Sequence, residues 1–327
     1  MNRGMRLLVL GIILITVALG AARVWVDRIV SLQSAVVEIE VTPGESASSV
    51  LARLAPALSL TERRLVFQIY PEVAAVQVGL YRFTESLSVI DAMRAISDGD
   101  AVTYRLTVPE GITASQLFEM IQSVDTLRGS VSIVDGRWQF LEPEFPANEG
   151  AFLAETYLWT ASLESDALLD SAHQALKDAL MVAWAQRTEP VDRVLSTPYE
   201  LLILASIIEK ETALAIERPK IAGVFIERLQ RGMRLQTDPT VIYGLGARFD
   251  GNLTRQHLRE KTAYNTYRID GLPPTPIALV GPDALMAAAR PEMTGHLYFV
   301  ADGSGGHAFS KTLEEHNANV RRYQLGQ

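Results

Sequence analysis

Apolar and polar positions divide this chain into blocks of different period. Leu7 to Ala22, LLVLGIILITVALGAA, carries no charge, and ten of its sixteen residues are Leu, Ile or Val. Val36 to Val41, VVEIEV, alternates with a period of two and predicts a strand. Pro43-Gly44 turns the chain and Ala47 to Leu54 reads as a helix. The same order of strand, turn and helix returns at Leu80–Ile96 and at Tyr104–Ile121. Ser130–Val134 and Arg137–Leu141 flank Asp135-Gly136, a hairpin signal. Ser165–Arg187 is amphipathic, with Leu168, Leu169, Ala172, Leu176, Leu180 and Trp184 on one stripe. Thr197–Thr212, TPYELLILASIIEKET, is different. Thr197 and Glu200 have capping-box spacing, Pro198 suits a first helical position, and Leu201 to Ile208 are apolar on all sides but for Ser206. Such a helix belongs in the interior. A second helix opens at Glu217-Arg218-Pro219 and ends at Gly232, polar loops follow, and a last helix starts from Lys311.

The pattern predicts an α+β chain in five parts. Residues 1–6 form a cytoplasmic N-terminus and 7–26 a transmembrane helix. Residues 35–127 make a small α/β region, 128–195 a connecting hairpin and helix, and 196–327 a mixed α+β catalytic domain. On an insertion scale the first apolar run sums to about −3 to −6 kcal/mol. Arg23 is placed to snorkel and Trp25 suits an aromatic belt. The alternative is a cleaved leader, with Ala18-Leu19-Gly20 as its small-residue site. In either case Arg3 and Arg6 hold the N-terminus inside, and the rest lies across the membrane in the extracytoplasmic space.

Composition narrows the chemistry. With 48% hydrophobic and 21% charged residues, 327 residues suffice for two or three cores. A net charge of −8 speaks against nucleic acid as a partner. The absence of cysteine excludes disulfides, thiolate metal sites and a cysteine nucleophile. Five scattered histidines without an H-x-x-x-H pair give no metal site, and Gly303–Gly306 lacks the Gly-Lys-Ser/Thr of a phosphate loop. No cofactor is expected.

The densest chemistry follows the buried helix. Glu209, Lys210 and Glu211 meet an apolar run, and carboxylates there are costly unless paired or set at a cleft. Glu209 and Glu211, two residues apart, point about 200° away from each other. Glu209 shares its face with Ala205, Ser206 and Thr212, small residues that leave room beside it. Glu211 shares its face with Ile207 and Ile208 and is expected to pair inward with a cation. Gln236, Thr237 and Asp238 could hydrogen-bond a polar ligand, while Asp238 before Pro239 is equally a turn residue. Tyr243, Tyr264, Asn265 and Tyr267 offer rings and an amide for the same purpose, and His307 and Phe309 flank a glycine-rich rim.

Five phrases in this order, EKET after the apolar helix, LQTDPTVIYGLG, AYNTY, GLPP-x-PI and LYFVADGSGGHAFS, resemble the YceG-like family of endolytic murein transglycosylases. The first strand–helix units resemble a LysM-type carbohydrate-binding fold. Ala154-Glu155 stands where the family usually shows Pro-Asp, and Val280-Gly281-Pro282 reverses a usual Pro-Gly. The resemblance implies cleavage of the β-1,4 bond between N-acetylmuramic acid and N-acetylglucosamine within glycan strands, leaving a 1,6-anhydro end. It assigns the catalytic acid/base role to Glu209, peptidoglycan as the substrate, termination of growing strands as the role and peptidoglycan synthases as candidate partners, while the helix faces leave Glu211 and Ser206 a structural role beside Glu209. Two other readings stay open from the residues: an inert wall-binding protein, and a hydrolase using Glu209 with Asp238. An acid that must donate a proton at rest needs a raised pKa, which burial against apolar walls would supply.

Overall fold

The computed structural model describes residues 3–29, 36–84 and 87–324; Ala35 and Met1 lie outside these. Helix α1 (Arg3–Ile29) covers the first apolar run, and Leu8, Leu10, Leu14, Ile15 and Val17 on it are exposed. Among the described residues no helix is long and apolar enough to cross a membrane. The side chains of Arg3, Arg6, Leu7 and Trp25, on which part of the expected span and its anchors rest, lie outside the description.

The chain divides into two compact units, one of residues 1–105 and 158–163, the other of 106–157 and 164–327. The boundary at Arg105 falls short of the expected 127, so the phrase Tyr104–Ile121 lies mostly with the second unit.

In the first unit, β1 (Val36–Val41) pairs antiparallel with β2 (Gly79–Thr84), Ile39 opposite Tyr81. Between them run α2 (Ala47–Leu54) and α3 (Leu60–Ile69), and α4 (Val89–Asp98) follows. The strands of the first and second phrases, Val36–Leu54 and Leu80–Ile96, thus share one sheet, rather than forming separate strand–helix units. Each helix starts on a serine: Ser46, Ser59 and Ser88 accept the backbone N–H three residues on. The alternation of β1 turns Ile39 and Val41 onto a core with Leu51, Val66, Tyr81 and Met93.

The second unit begins within β3 (Tyr104–Thr107) and continues through α5 (Ala114–Gln122), β4 (Leu127–Arg128), β5 (Ile133–Val134), β6 (Arg137–Trp138) and the first half of β7 (Thr156–Trp159), whose end belongs to the first unit, and resumes within β8 (Leu163–Glu164). Strands β5 and β6 form the expected hairpin, and Asp135 and Gly136 both take positive φ, 50° and 76°, as a two-residue primed turn requires. Then come α6 (Ser165–Ala185), α7 (Glu189–Asp192), α8 (Pro198–Glu211), α9 (Arg218–Gln230), α10 (Asp238–Leu245), α11 (Arg255–Arg259) and α12 (Pro282–Ala289). Strands β9 (Tyr298–Ala301) and β10 (His307–Ser310) and helix α13 (Leu313–Gln324) complete it. On α6, Trp184 leaves the expected core stripe. It is half-buried under the Arg187 guanidinium, 3.9 Å from its ring, while His173 is buried instead.

Helix α8 is the hub, packed by α6, α9, α10 and α12. Thr197 Oγ1 accepts the Glu200 N–H at 3.2 Å, while the Glu200 carboxylate reaches back to the N–H of Ser196 instead of Thr197. Every residue from Leu201 to Glu209 is buried. A fully buried Leu or Ile contributes about 1.5–3 kcal/mol. Leu201, Leu202, Ile203, Leu204, Ile207 and Ile208 together therefore outweigh the cost of taking one carboxyl group out of water.

Candidate active site

Glu209 stands on the last turn of α8, 8% exposed, and borders a cavity of about 330 Å³ that Glu110, Lys210 and Arg218 also line. It is thus nearly dry but not sealed. One carboxyl oxygen accepts from Arg218 Nη2 at 2.8 Å, the other from the Gly281 N–H at 3.1 Å. Burial pushes its pKa up to about 7. The Gly281 N–H and the Arg218 guanidinium pull it down, and the neighbouring Glu110 carboxyl pushes it up again. An acid with a pKa near the working pH both gives and takes a proton readily.

Three segments build this pocket. Arg218 opens α9, its side chain buried, and also reaches Glu110 at 2.6 Å and Asp283 at 3.7 Å. The loop after β3 carries Pro109-Glu110-Gly111. It is fixed by the Gly111 N–H to Leu279 O, the Leu279 N–H to Ile112 O and Lys210 Nζ to Gly111 O. The third segment, Pro276–Gly281, is pinned beneath α8 by the Ile277 N–H on Ser206 Oγ, which itself donates to Ile203 O. The two departures from the family pattern meet here, for the Ala154 N–H donates to Val280 O at 2.9 Å.

Glu211 faces the other way. Its carboxylate takes a hydrogen bond from Thr237 Oγ1, and burial pushes its pKa to about 6 against the pull of that bond. The cation pair expected for Glu211 falls to Glu209 instead, because Arg228 spends its donors on the carbonyls of Leu297, Arg234 and Leu235. Glu211 touches the edge of the Glu209 cavity as well, and borders a second groove, of about 380 Å³, together with Gln236, Thr237, Asp238, Tyr267 and His307. Gln236 is exposed with φ of 51°, a left-handed conformation rare for a non-glycine residue. Asp238 accepts the Tyr267 hydroxyl at 2.7 Å, and His307 is held by Glu217 at 2.8 Å.

The remaining expected sugar contacts lie elsewhere. Asn265 is 1% exposed and ties its own loop, donating to His257 O and Glu260 O and accepting the Tyr267 N–H. It is a loop brace, not a groove-lining amide. Tyr243 packs edge-on to Tyr264, with ring centres 5.0 Å apart, while Tyr264 meets Thr275 at 2.8 Å. Phe309 lies under Lys220 Nζ, 5.0 Å from its ring. Gly303–Gly306 is the hairpin tip between β9 and β10, closed by Asp302 accepting from Ser304 and Gly306.

Glu110, Arg218, Gly281 and Glu149 are the polar groups sequence reasoning missed. Glu149 is a buried carboxyl that accepts the Ala114 N–H at 3.0 Å, and burial pushes its pKa to about 7. Glu110 reads as part of an ordinary turn and Arg218 as a helix start. Only the fold brings residue 110 beside 209 and 281. Carboxyls flanked by glycine, as in Pro-Glu-Gly and Asn-Glu-Gly, are the one local signal, and a weak one.

The YceG-like family profile matches residues 39–322. An endolytic murein transglycosylase of Bacillus subtilis (strain 168) is 29% identical over 304 residues, covering 86% of this chain and 83% of that protein. One from Streptococcus pneumoniae serotype 2 (strain D39 / NCTC 7466) is 27% identical over 309 residues, and the match spans 81% of this chain and 54% of that longer protein. The 2.6 Å crystal structure of a Listeria monocytogenes protein described as YceG-like superposes with a TM-score of 0.54 at 25% identity, over 87% of this chain and 98% of that one.

Proposed function

The chain belongs to the YceG-like family, and from that premise we propose that it is an endolytic murein transglycosylase with Glu209 as its acid and base. The protonated carboxyl gives its proton to the glycosidic oxygen as the bond from C1 of the muramoyl residue breaks. The 6-hydroxyl of that same sugar then bonds to C1, and its proton returns to Glu209. No water is consumed, and one carboxyl group serves both steps. The observation that carries this reading is the position of Glu209: nearly dry, on a cavity wall, with both oxygens oriented by fixed donors.

A hydrolase pairing Glu209 with Asp238 is less well supported. Asp238 lines the other groove, where Tyr267 holds it, and is not among the residues lining the Glu209 cavity. Glu110 does not take its place as the second group of a glycosidase. Its carboxyl and that of Glu209 bind the same nitrogen, Arg218 Nη2, at 2.6 and 2.8 Å, so a guanidinium is held between them, whereas the two groups of a retaining or inverting enzyme flank the bond that is cut.

The groove of Gln236, Thr237, Asp238, Tyr267 and His307 is the proposed seat for further sugar units. Residues 7–26 of α1, charge-free but for Arg23, are proposed as a single-pass anchor holding both units outside the cytoplasm. At about 1.5 Å per residue the 27 residues of the whole helix extend roughly 40 Å. The β1–α2–α3–β2 order supports a LysM-like glycan reader in the first unit. A strand-terminating role would place the protein beside peptidoglycan synthases. Mass spectrometry of digested glycan tests the chemistry. Anhydro ends are expected; reducing ends would indicate a hydrolase, and binding without cleavage an inert wall protein.

A further inference from the structure

We infer that Glu110 is a positioning residue for the reaction: its carboxylate, docked on Gly281 and sharing the Arg218 guanidinium with Glu209, keeps Glu209 in the proton-bearing form between turnovers. This rests on the transglycosylase reading above.

The geometry carries the inference. Arg218 Nη2 lies 2.6 Å from Glu110 Oε2 and 2.8 Å from Glu209 Oε1, so one guanidinium nitrogen serves two carboxyl groups. A single positive charge does not neutralise two carboxylates, and two acidic groups this close hold one proton between them. They are not equivalent. The Glu209 side chain is 3% exposed and that of Glu110 is 40% exposed. Burial therefore falls on Glu209, whose charge is the costly one, and it is the group that keeps the proton. The other charges about the pair are Asp283, which faces Arg218 Nη1 from α12, Lys210, which turns to Gly111 O, and Glu211, directed to Thr237.

Gly281 makes the arrangement possible. A Cβ on that residue would lie 1.9 Å from Glu110 Oε1 and 2.7 Å from its carboxyl carbon, with no other atom so near. The residue has φ of −86° and donates its N–H to Glu209, so its backbone suits alanine. Gly281→Ala therefore expels the Glu110 carboxylate while leaving every charge in the protein in place. Glu110→Gln does the reverse, removing the charge but keeping an oxygen for Arg218.

The test is the pH profile of kcat for the full-length wild type and for Glu110→Gln, Glu110→Asp and Gly281→Ala, with glycan strands as substrate. Turnover begins from protonated Glu209, so kcat falls on the alkaline side as that proton is lost. Without a negative neighbour the proton leaves more easily, and the alkaline limb moves to lower pH. We expect a shift of about one pH unit or more in Glu110→Gln. Gly281→Ala should shift the limb in the same direction, and Glu110→Asp should restore it toward the wild-type position. KM should hold steady throughout. Carboxyl ¹³C NMR of Glu209 in the same proteins without substrate reads the same displacement, including in a variant too slow to assay. A limb and a carboxyl midpoint that stay at the wild-type pH in both Glu110→Gln and Gly281→Ala would overturn the inference, whatever the loss of activity. Wild-type protein that leaves no anhydro ends would instead overturn the transglycosylase reading.

Discussion

Glu209 and Glu211 leave the same helix end and enter different surroundings. Glu209 meets an arginine, a backbone N–H and a second carboxyl group, all fixed by other segments, at the wall of a cavity. Glu211 meets one threonine hydroxyl and borders a groove of tyrosine, histidine and amide groups. Both are pushed up by burial, to about 7 and about 6. A raised pKa therefore does not by itself separate the two. Their partners do: Glu209 is oriented through both oxygens and has a proton-sharing neighbour, as an acid/base requires, while Glu211 anchors the Gln236–Asp238 loop through Thr237.

The sharpest way to break this contrast is to neutralise each carboxyl in turn. Glu209→Gln should lower turnover by about 10²–10⁴-fold with the fold intact, and Glu211→Gln should cost far less; equal losses would erase the distinction. The next largest effect is on stability. Arg218→Met leaves two carboxyl groups without their shared cation and should cost about 3 kcal/mol in denaturant unfolding at pH 8. The cost should be smaller at pH 5, where Glu209 carries its proton. The smallest effect is a pH dependence at Glu211. Its folded pKa, about 6, lies above the ordinary 4.5, so the folded state binds more protons between these values. Its contribution then favours folding at low pH and is lost as pH rises from 4.5 through 6. Glu211→Gln, which keeps an acceptor for Thr237, should therefore stabilise the protein by on the order of 1 kcal/mol at pH 8 and not at pH 4. Equal unfolding midpoints at both pH values would refute this.

Local pattern made the frame legible. The all-round apolar run of α8, the Ser and Thr caps, the Asp135-Gly136 turn and the alternation of β1 each follow from neighbours a few residues apart, and each appears in the structure. Glu209 was legible for the same reason, as a charge at the end of a greasy helix. What stayed hidden depends on long-range closure. Glu110 and Arg218 are 108 residues apart in the chain yet form an ion pair, and no periodicity announces that. Asn265 shows the opposite failure. An amide among tyrosines suits sugar, but the backbone carbonyls of its own loop claim it first.

The central claim is that Glu209 carries a proton at rest near neutral pH. Titrating its side-chain carboxyl by ¹³C NMR in the substrate-free protein, assigned by its absence in Glu209→Gln, measures this directly. The account predicts a midpoint near 7. A midpoint at 4 to 5, the range of an ordinary solvated glutamate, would contradict it.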